Sequence, residues 1–120
     1  VKVLTVVTSK PVLDKMFIFT LPSRYSYYLA LLSTKVTNIV KEFEIARKDV
    51  FDELSEGATE LPSDKKEEFN RIVNEIVTSE SSLTDADKVT LPMSLIADDF
   101  KLSATEMVQL LNFININPGE

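Results

Sequence analysis

Residues 22–56 read PSRYSYYLALLSTKVTNIVKEFEIARKDVFDELSE, and this stretch decides the fold. Tyr25, Leu29, Leu32, Val36, Ile39, Phe43, Ala46 and Val50 recur in alternating four- and three-residue steps, the seam of a helix that packs along its length. Val40, Arg47 and Leu54, with Phe51 alongside, widen the seam, so the helix reads as a core element and not a narrow two-stranded coiled coil. Such a helix is about 50 Å long. Shorter elements from the rest of the chain must climb along it, or part of it stays bare. Its opening, Tyr25 to Leu32, is apolar on nearly all sides, because Tyr27 and Leu31 point away from the seam. Cover on two sides is expected, from the first helix and from the C-terminal helix. The alternative use of an exposed aromatic patch is self-association.

Toward the N-terminus, Thr20-Leu21-Pro22-Ser23 is a break, and Pro11 suits the first turn of a helix over 10–19 carrying Val12, Leu13, Met16 and Phe17. Val1 to Val7 (VKVLTVV) is β-branched and reads as a strand in need of a partner. Toward the C-terminus, Gly57 fits a helix C-cap, and GATELPS over 57–63 is a connection. Asp64 and Glu67 form a capping pair for a helix over 64–79, striped by Phe69, Ile72, Val73, Ile76 and Val77. That helix, about 24 Å long, covers only the later half of the long one, from Val40 to Leu54. Ser79 to Asp87 is turn-like, and Lys88 to Leu91 alternates as a second strand that Pro92 stops. The two strands are expected to pair and to lean on the long helix, since a lone two-stranded sheet is marginal in water. Met93 to Leu102 is irregular, with one helical turn around Leu95 to Asp98. Ser103-Ala-Thr-Glu106 is a capping box, and Met107, Leu110, Leu111 and Ile114 carry a last helix to Asn115, closed by Asn117-Pro118-Gly119. The expected fold class is therefore α+β, mainly α, in one domain over 1–120. A long central helix and its helical hairpin partner are completed by two shorter helices and a two-stranded β ribbon joining the N- and C-terminal parts.

With 120 residues, 44% hydrophobic and 27% charged, the chain is large enough to bury one core. Its longest apolar run, Tyr27 to Leu32, is too short to span a bilayer. The start lacks the continuous apolar region of a signal peptide, being broken by Lys10, Pro11, Asp14 and Lys15, so an intracellular place of synthesis is expected. Cysteine and histidine are absent, which removes zinc sites built on thiolate or imidazole, Cys nucleophiles and His-based acid–base catalysis. Carboxylate-only chemistry would need acids converging in a pocket. No phosphate loop, Rossmann fingerprint or metal-ligand spacing occurs, and two glycines cannot make a Gly-rich loop. A non-enzymatic protein with no cofactor and no metal is the expectation.

Charge is unevenly placed within the net −6. Val1 to Lys41 carries six basic residues against one acid, and the remainder seven against eighteen. Arg24, Lys35 and Lys41 with Tyr25, Tyr27 and Tyr28 make a basic, aromatic end to the long helix, superficially like a nucleic-acid surface. In an acidic chain without a binding motif those tyrosines read more economically as core, and nucleic acid is not an expected partner. Glu42, Asp49, Glu53 and Glu56 line one face farther along, ordinarily a solvated face, or an acidic surface offered to a basic groove. The helix is thus basic at its start and acidic at its end, the reverse of what its macrodipole favours. Two antiparallel copies would set Arg24 and Lys35 of one against Asp49 and Glu53 of the other. Asp85, Asp87, Asp98 and Asp99 as a divalent-cation site have spacing that fits no EF-hand, and loop solvation accounts for them. The partner-binding candidates are Tyr25, Tyr27, Tyr28, Leu31, Glu42, Asp49, Glu53 and Glu56. The expected partner is protein, with a homodimer or higher homo-oligomer as one form of it, and no membrane is expected.

Lys10-Pro11-Val12-Leu13, Leu21-Pro22 followed by Tyr28-Leu29-Ala30, and Phe43-Glu44-x-Ala46-Arg47 resemble a family of small bacteriophage proteins of unknown function. The likeness continues through Glu68-Phe69-Asn70, the Asn74-Glu75 pair, the second strand and the final Ser-Ala-x-Glu helix, and so covers most of the chain. Gly57 to Ser63 and Ser79 to Asp87 depart from it. The resemblance implies a phage origin and a place in the host cytoplasm or the virion, and it brings no catalytic or binding residues with it. Two functions follow as expectations: a structural or assembly accessory component working as a homo-oligomer, or an inhibitor that binds a host enzyme, a defence nuclease or polymerase, through the acidic helix face.

Overall fold

A computed structural model describes residues 1–18, 20–96 and 101–117. The fold is mostly helical, built on one long helix with a helical hairpin, shorter helices and a two-stranded parallel ribbon. In order, the elements are α1 (Val3–Phe17), α2 (Ser23–Ser55), α3 (Lys66–Thr78), β1 (Val89–Pro92), α4 (Met93–Ile96), α5 (Ala104–Leu110) and β2 (Ile114–Asn117). Short 3-10 turns at Ser63–Lys65 and Asp85–Asp87 lead into α3 and β1. The 33 residues of α2 span nearly the whole 56 Å long dimension, against 25 and 23 Å across. The radius of gyration of 17.5 Å exceeds the roughly 14 Å of a compact chain of this length, so part of the molecule projects.

The seam read from the sequence is the one that is buried. Leu29, Leu32, Val36 and Ile39 lie inside with Val6, Leu13 and Met16 of α1, Val89 and Leu91 of β1, and Leu83, Leu110, Phe113 and Ile114. Tyr25 and Val40 pack against this core from its edge. Beyond Ile39 the seam becomes shallow: Phe43, Ala46, Val50 and Leu54 are only half-buried, and α3 has no buried residue. Here α2 and α3 form a two-helix arm, with Phe51 and Phe69 edge to face at 6.0 Å. At the arm's tip Glu56 takes the left-handed conformation (φ 53°) as the C-cap, and Gly57 follows at φ 83°. The expected glycine cap is therefore displaced by one residue onto a glutamate.

Three readings of local structure are corrected. Val1 to Val7 is no strand: α1 begins at Val3 and runs through Pro11, replacing the shorter helix over 10–19. Val6, Ser9, Val12, Leu13 and Met16 are buried at helical spacing. Burying such side chains yields about 1.5–3 kcal/mol each, which outweighs the tenths that each β-branched residue costs a helix and the roughly 3 kcal/mol of an interior proline. Among the described residues the extended pairing of this segment is a single antiparallel bridge, Lys2 to Glu80. Second, β1 pairs with β2 and not with the N-terminus, in a parallel register from Val89↔Ile114 to Pro92↔Asn117. Parallel strands need a crossover, and residues 93–113 supply it. Third, the last helix stops at Leu110 instead of Asn115, and the chain turns through Leu111 to Phe113 into β2. Its start is as read: Ser103 Oγ accepts the Glu106 N–H at 3.1 Å, and Glu106 Oε1 accepts the Ser103 N–H at 3.1 Å. The turn expected around Leu95 to Asp98 is α4 up to Ile96; Asp98, like Pro118 and Gly119, lies outside the described residues.

Candidate functional site

The opening of α2 does not receive the cover expected on two sides. The C-terminal helix α5 packs on α1, and α2 meets α1 and β1 instead. Tyr27, Tyr28 and Leu31 are left 62%, 56% and 48% exposed. Tyr27 and Tyr28 stack edge to face at 5.4 Å.

Between this part of α2 and the chain entering β1 lies a groove of about 730 Å³. Tyr25, Tyr28, Leu31 and Leu32 form one wall, and Val89 and Thr90 the other. Arg24, Lys35, Asp87 and Lys88 stand on its rim. The guanidinium of Arg24 lies 4.6 Å from the centre of the Tyr25 ring and donates to Tyr25 Oη at 2.7 Å. Lys35 is hydrogen-bonded to Asp87, and this ammonium, with the Thr84 backbone N–H, holds the Asp87 carboxyl below the usual carboxylate range. Lys88 faces Asp85 at 3.7 Å. Arg24 is the rim cation with no carboxylate within 4.0 Å among the described residues. The groove can hold an apolar body beside one unpaired positive charge, a general form of binding site.

The eight candidate residues fall into two places on one helix. Tyr25, Tyr28 and Leu31 line the groove, with Tyr27 beside them. Asp49, Glu53 and Glu56 are exposed along the arm, beginning about 27 Å from Leu31. Glu42 stands between the two sets, in a smaller cleft of about 230 Å³ at the base of the arm with Ile39, Phe43 and Ile76. Among the described residues none of these four acids forms an ion pair. Lys35, expected to face a second copy, is hydrogen-bonded to Asp87 of its own chain. Asp85 and Asp87 are likewise paired with lysines, and Asp98 and Asp99 lie outside the described residues; no group of acids able to hold a metal occurs among the described residues.

The strand of Val89 and Thr90 does lean on α2 as expected, but sequence reasoning did not read these two residues as the second wall of a groove, because no spacing says which side of α2 the strand takes. It also missed Ile45, 51% exposed beside the acidic line. That signal was present: an isoleucine between Glu42 and Asp49, off the buried seam, has no core to serve. Among the described residues no helix is long and apolar enough to cross a membrane. No family model, curated protein or solved structure matches the chain.

Proposed function

We propose that the chain is a non-enzymatic protein-interaction protein whose working surface is the outward face of α2, and that it acts as a homo-oligomer in a structural or assembly role. The observation that carries this is the row of large apolar side chains left open on that face: Tyr27, Tyr28 and Leu31, with Ile45 farther along. Large contiguous apolar exposure on a folded chain is a mark of an interface. A role outside catalysis rests on a sequence that offers neither thiolate nor imidazole. A phage origin rests on the motif resemblance. Sedimentation velocity over rising protein concentration tests the proposal: a species heavier than the 13.5 kDa chain is expected, and a monomer at every concentration and salt overturns it.

Glu42, Asp49, Glu53 and Glu56, without an ion pair among the described residues, favour a second reading, an inhibitor that presents this stripe to a basic groove on a host enzyme. Charge reversal at Asp49 and Glu53 separates the two. It abolishes salt-sensitive capture of one host enzyme under the second reading and leaves particle association in place under the first.

A further inference from the structure

Arg24, Leu31, Asn38, Ile45 and Asp52 stand seven residues apart and form one line along α2 that lies off the buried seam and whose first two members border the groove. All five are exposed. Turned end for end about Asn38, the line is complementary to itself: Arg24 meets Asp52, Leu31 meets Ile45, and Asn38 meets its own copy. We propose that two copies of the chain pack α2 against α2 in antiparallel fashion, with the two-fold axis at Asn38. The inference rests on the homo-oligomer proposed above and specifies its surface, direction and register.

Charge, apolar area and dipole agree on this arrangement. Among the described residues neither Arg24 nor Asp52 has an ion-pair partner within its own chain. Leu31 and Ile45, 48% and 51% exposed, are large aliphatic side chains on this line, and the proposed register sets one on the other twice. The first turn of α2 carries no acid and its last turn no base. An antiparallel neighbour brings the partner's Asp52 and the partner's Glu53 to the positive end of the helix, which its own chain leaves uncompensated. At the centre, an Asn pair between the two Leu31–Ile45 contacts fixes register at some cost in stability. Lys35 comes level with the partner's Lys41, a like-charge contact that Asp87 relieves by holding Lys35 within its own chain. A seven-residue line drifts about 20° per repeat on a straight helix, so the pair crosses at roughly 20°, as left-handed pairs do. The contact runs about 42 Å along a single helix from each copy, toward the small end of stable interfaces, so the dimer is concentration-dependent.

The chain has no cysteine, so single cysteines report the register directly. Under mild oxidation Asn38→Cys is expected to give a disulfide-linked dimer. Leu31→Cys or Ile45→Cys alone gives little, because like positions lie about 21 Å apart along the pair, while a mixture of the two links in the heterodimer. Arg24→Asp weakens dimerisation by about tenfold, and Arg24→Asp combined with Asp52→Arg restores it. Equal cross-linking by Leu31→Cys alone and Asn38→Cys shows a parallel pair and overturns the proposal. So does a dimer by sedimentation in which Asn38→Cys does not link and the charge swap does not rescue. A monomer throughout removes the homo-oligomer reading with it.

Discussion

The two halves of α2 belong to one uninterrupted helix and live under different physics. From Tyr25 to Ile39 its seam faces α1 and the β1–β2 ribbon, and Leu32 and Val36 are 3% and 0% exposed. From Phe43 to Leu54 the same spacing continues, yet those residues are only half-buried, because α3 alone lies against them over most of that length. Ion pairs divide in the same way. Lys15 with Glu106 (2.6 Å) and Lys35 with Asp87 tie separate elements around the embedded half. In the arm, Arg71 pairs with Glu75 and Glu68 of its own helix. Apolar periodicity therefore announces a packed face without saying how deep the packing is; depth depends on how many elements converge. Three or more converge on the first half and two on the arm.

The largest effect that sharpens this contrast is expected from Leu32→Ala. It empties a volume inside the core and should lower global stability by about 2–5 kcal/mol in chemical denaturation. Phe69→Ala, taken from the half-buried ring pair in the arm, should cost about 1–2 kcal/mol, with accelerated exchange confined to the arm. Equal losses from the two substitutions would break the contrast. At the arm's tip Glu56→Gly should stabilise by about 0.5–1 kcal/mol, since glycine accepts the positive φ without strain. Gly57→Ala should act in the opposite sense at φ 83°.

The smallest effect is electrostatic and belongs to the embedded half. Asp87 is held below its ordinary value of 3.8 first by Lys35 and then by the Thr84 N–H, and Glu106 below 4.5 first by Lys15 and then by the Ser103 N–H. Both carboxyls are lower in the folded chain than in the unfolded one. Their contribution is thus complete above the unfolded values and is lost as pH falls through the folded ones. Thermal melts should show stability dropping from about pH 5 downward. Asp87→Asn should remove part of that slope and cost under about 1 kcal/mol at neutral pH, the scale of a partly exposed pair.

The long helix, its hairpin partner and the Ser103–Glu106 capping box were legible because each is local: a period, a stripe or a four-residue box. The N-terminal helix was not. Val1, Val3, Thr5 and Val7 alternate as a strand would, and the true buried line runs through Ser9, a polar residue that hides the helical period. The parallel ribbon was half legible. Val89 to Leu91 alternates visibly, but its partner lies beyond a crossover, and Ile114 satisfied a helical stripe with Met107, Leu110 and Leu111 as well as the start of a strand. At the candidate site, the surplus of Tyr27, Tyr28 and Leu31 over the seam could be read directly. The wall of Val89 and Thr90 depends on which side of α2 the ribbon chooses, and no spacing encodes that.

Native-state hydrogen exchange along α2 tests the division of this helix most directly. A step is expected: amides up to Ile39 exchange only through global unfolding, while those from Phe43 to Ser55, together with α3, open at distinctly lower free energy. Uniform protection over all 33 residues would contradict it, and would mean that the arm is held by contacts as extensive as those of the core.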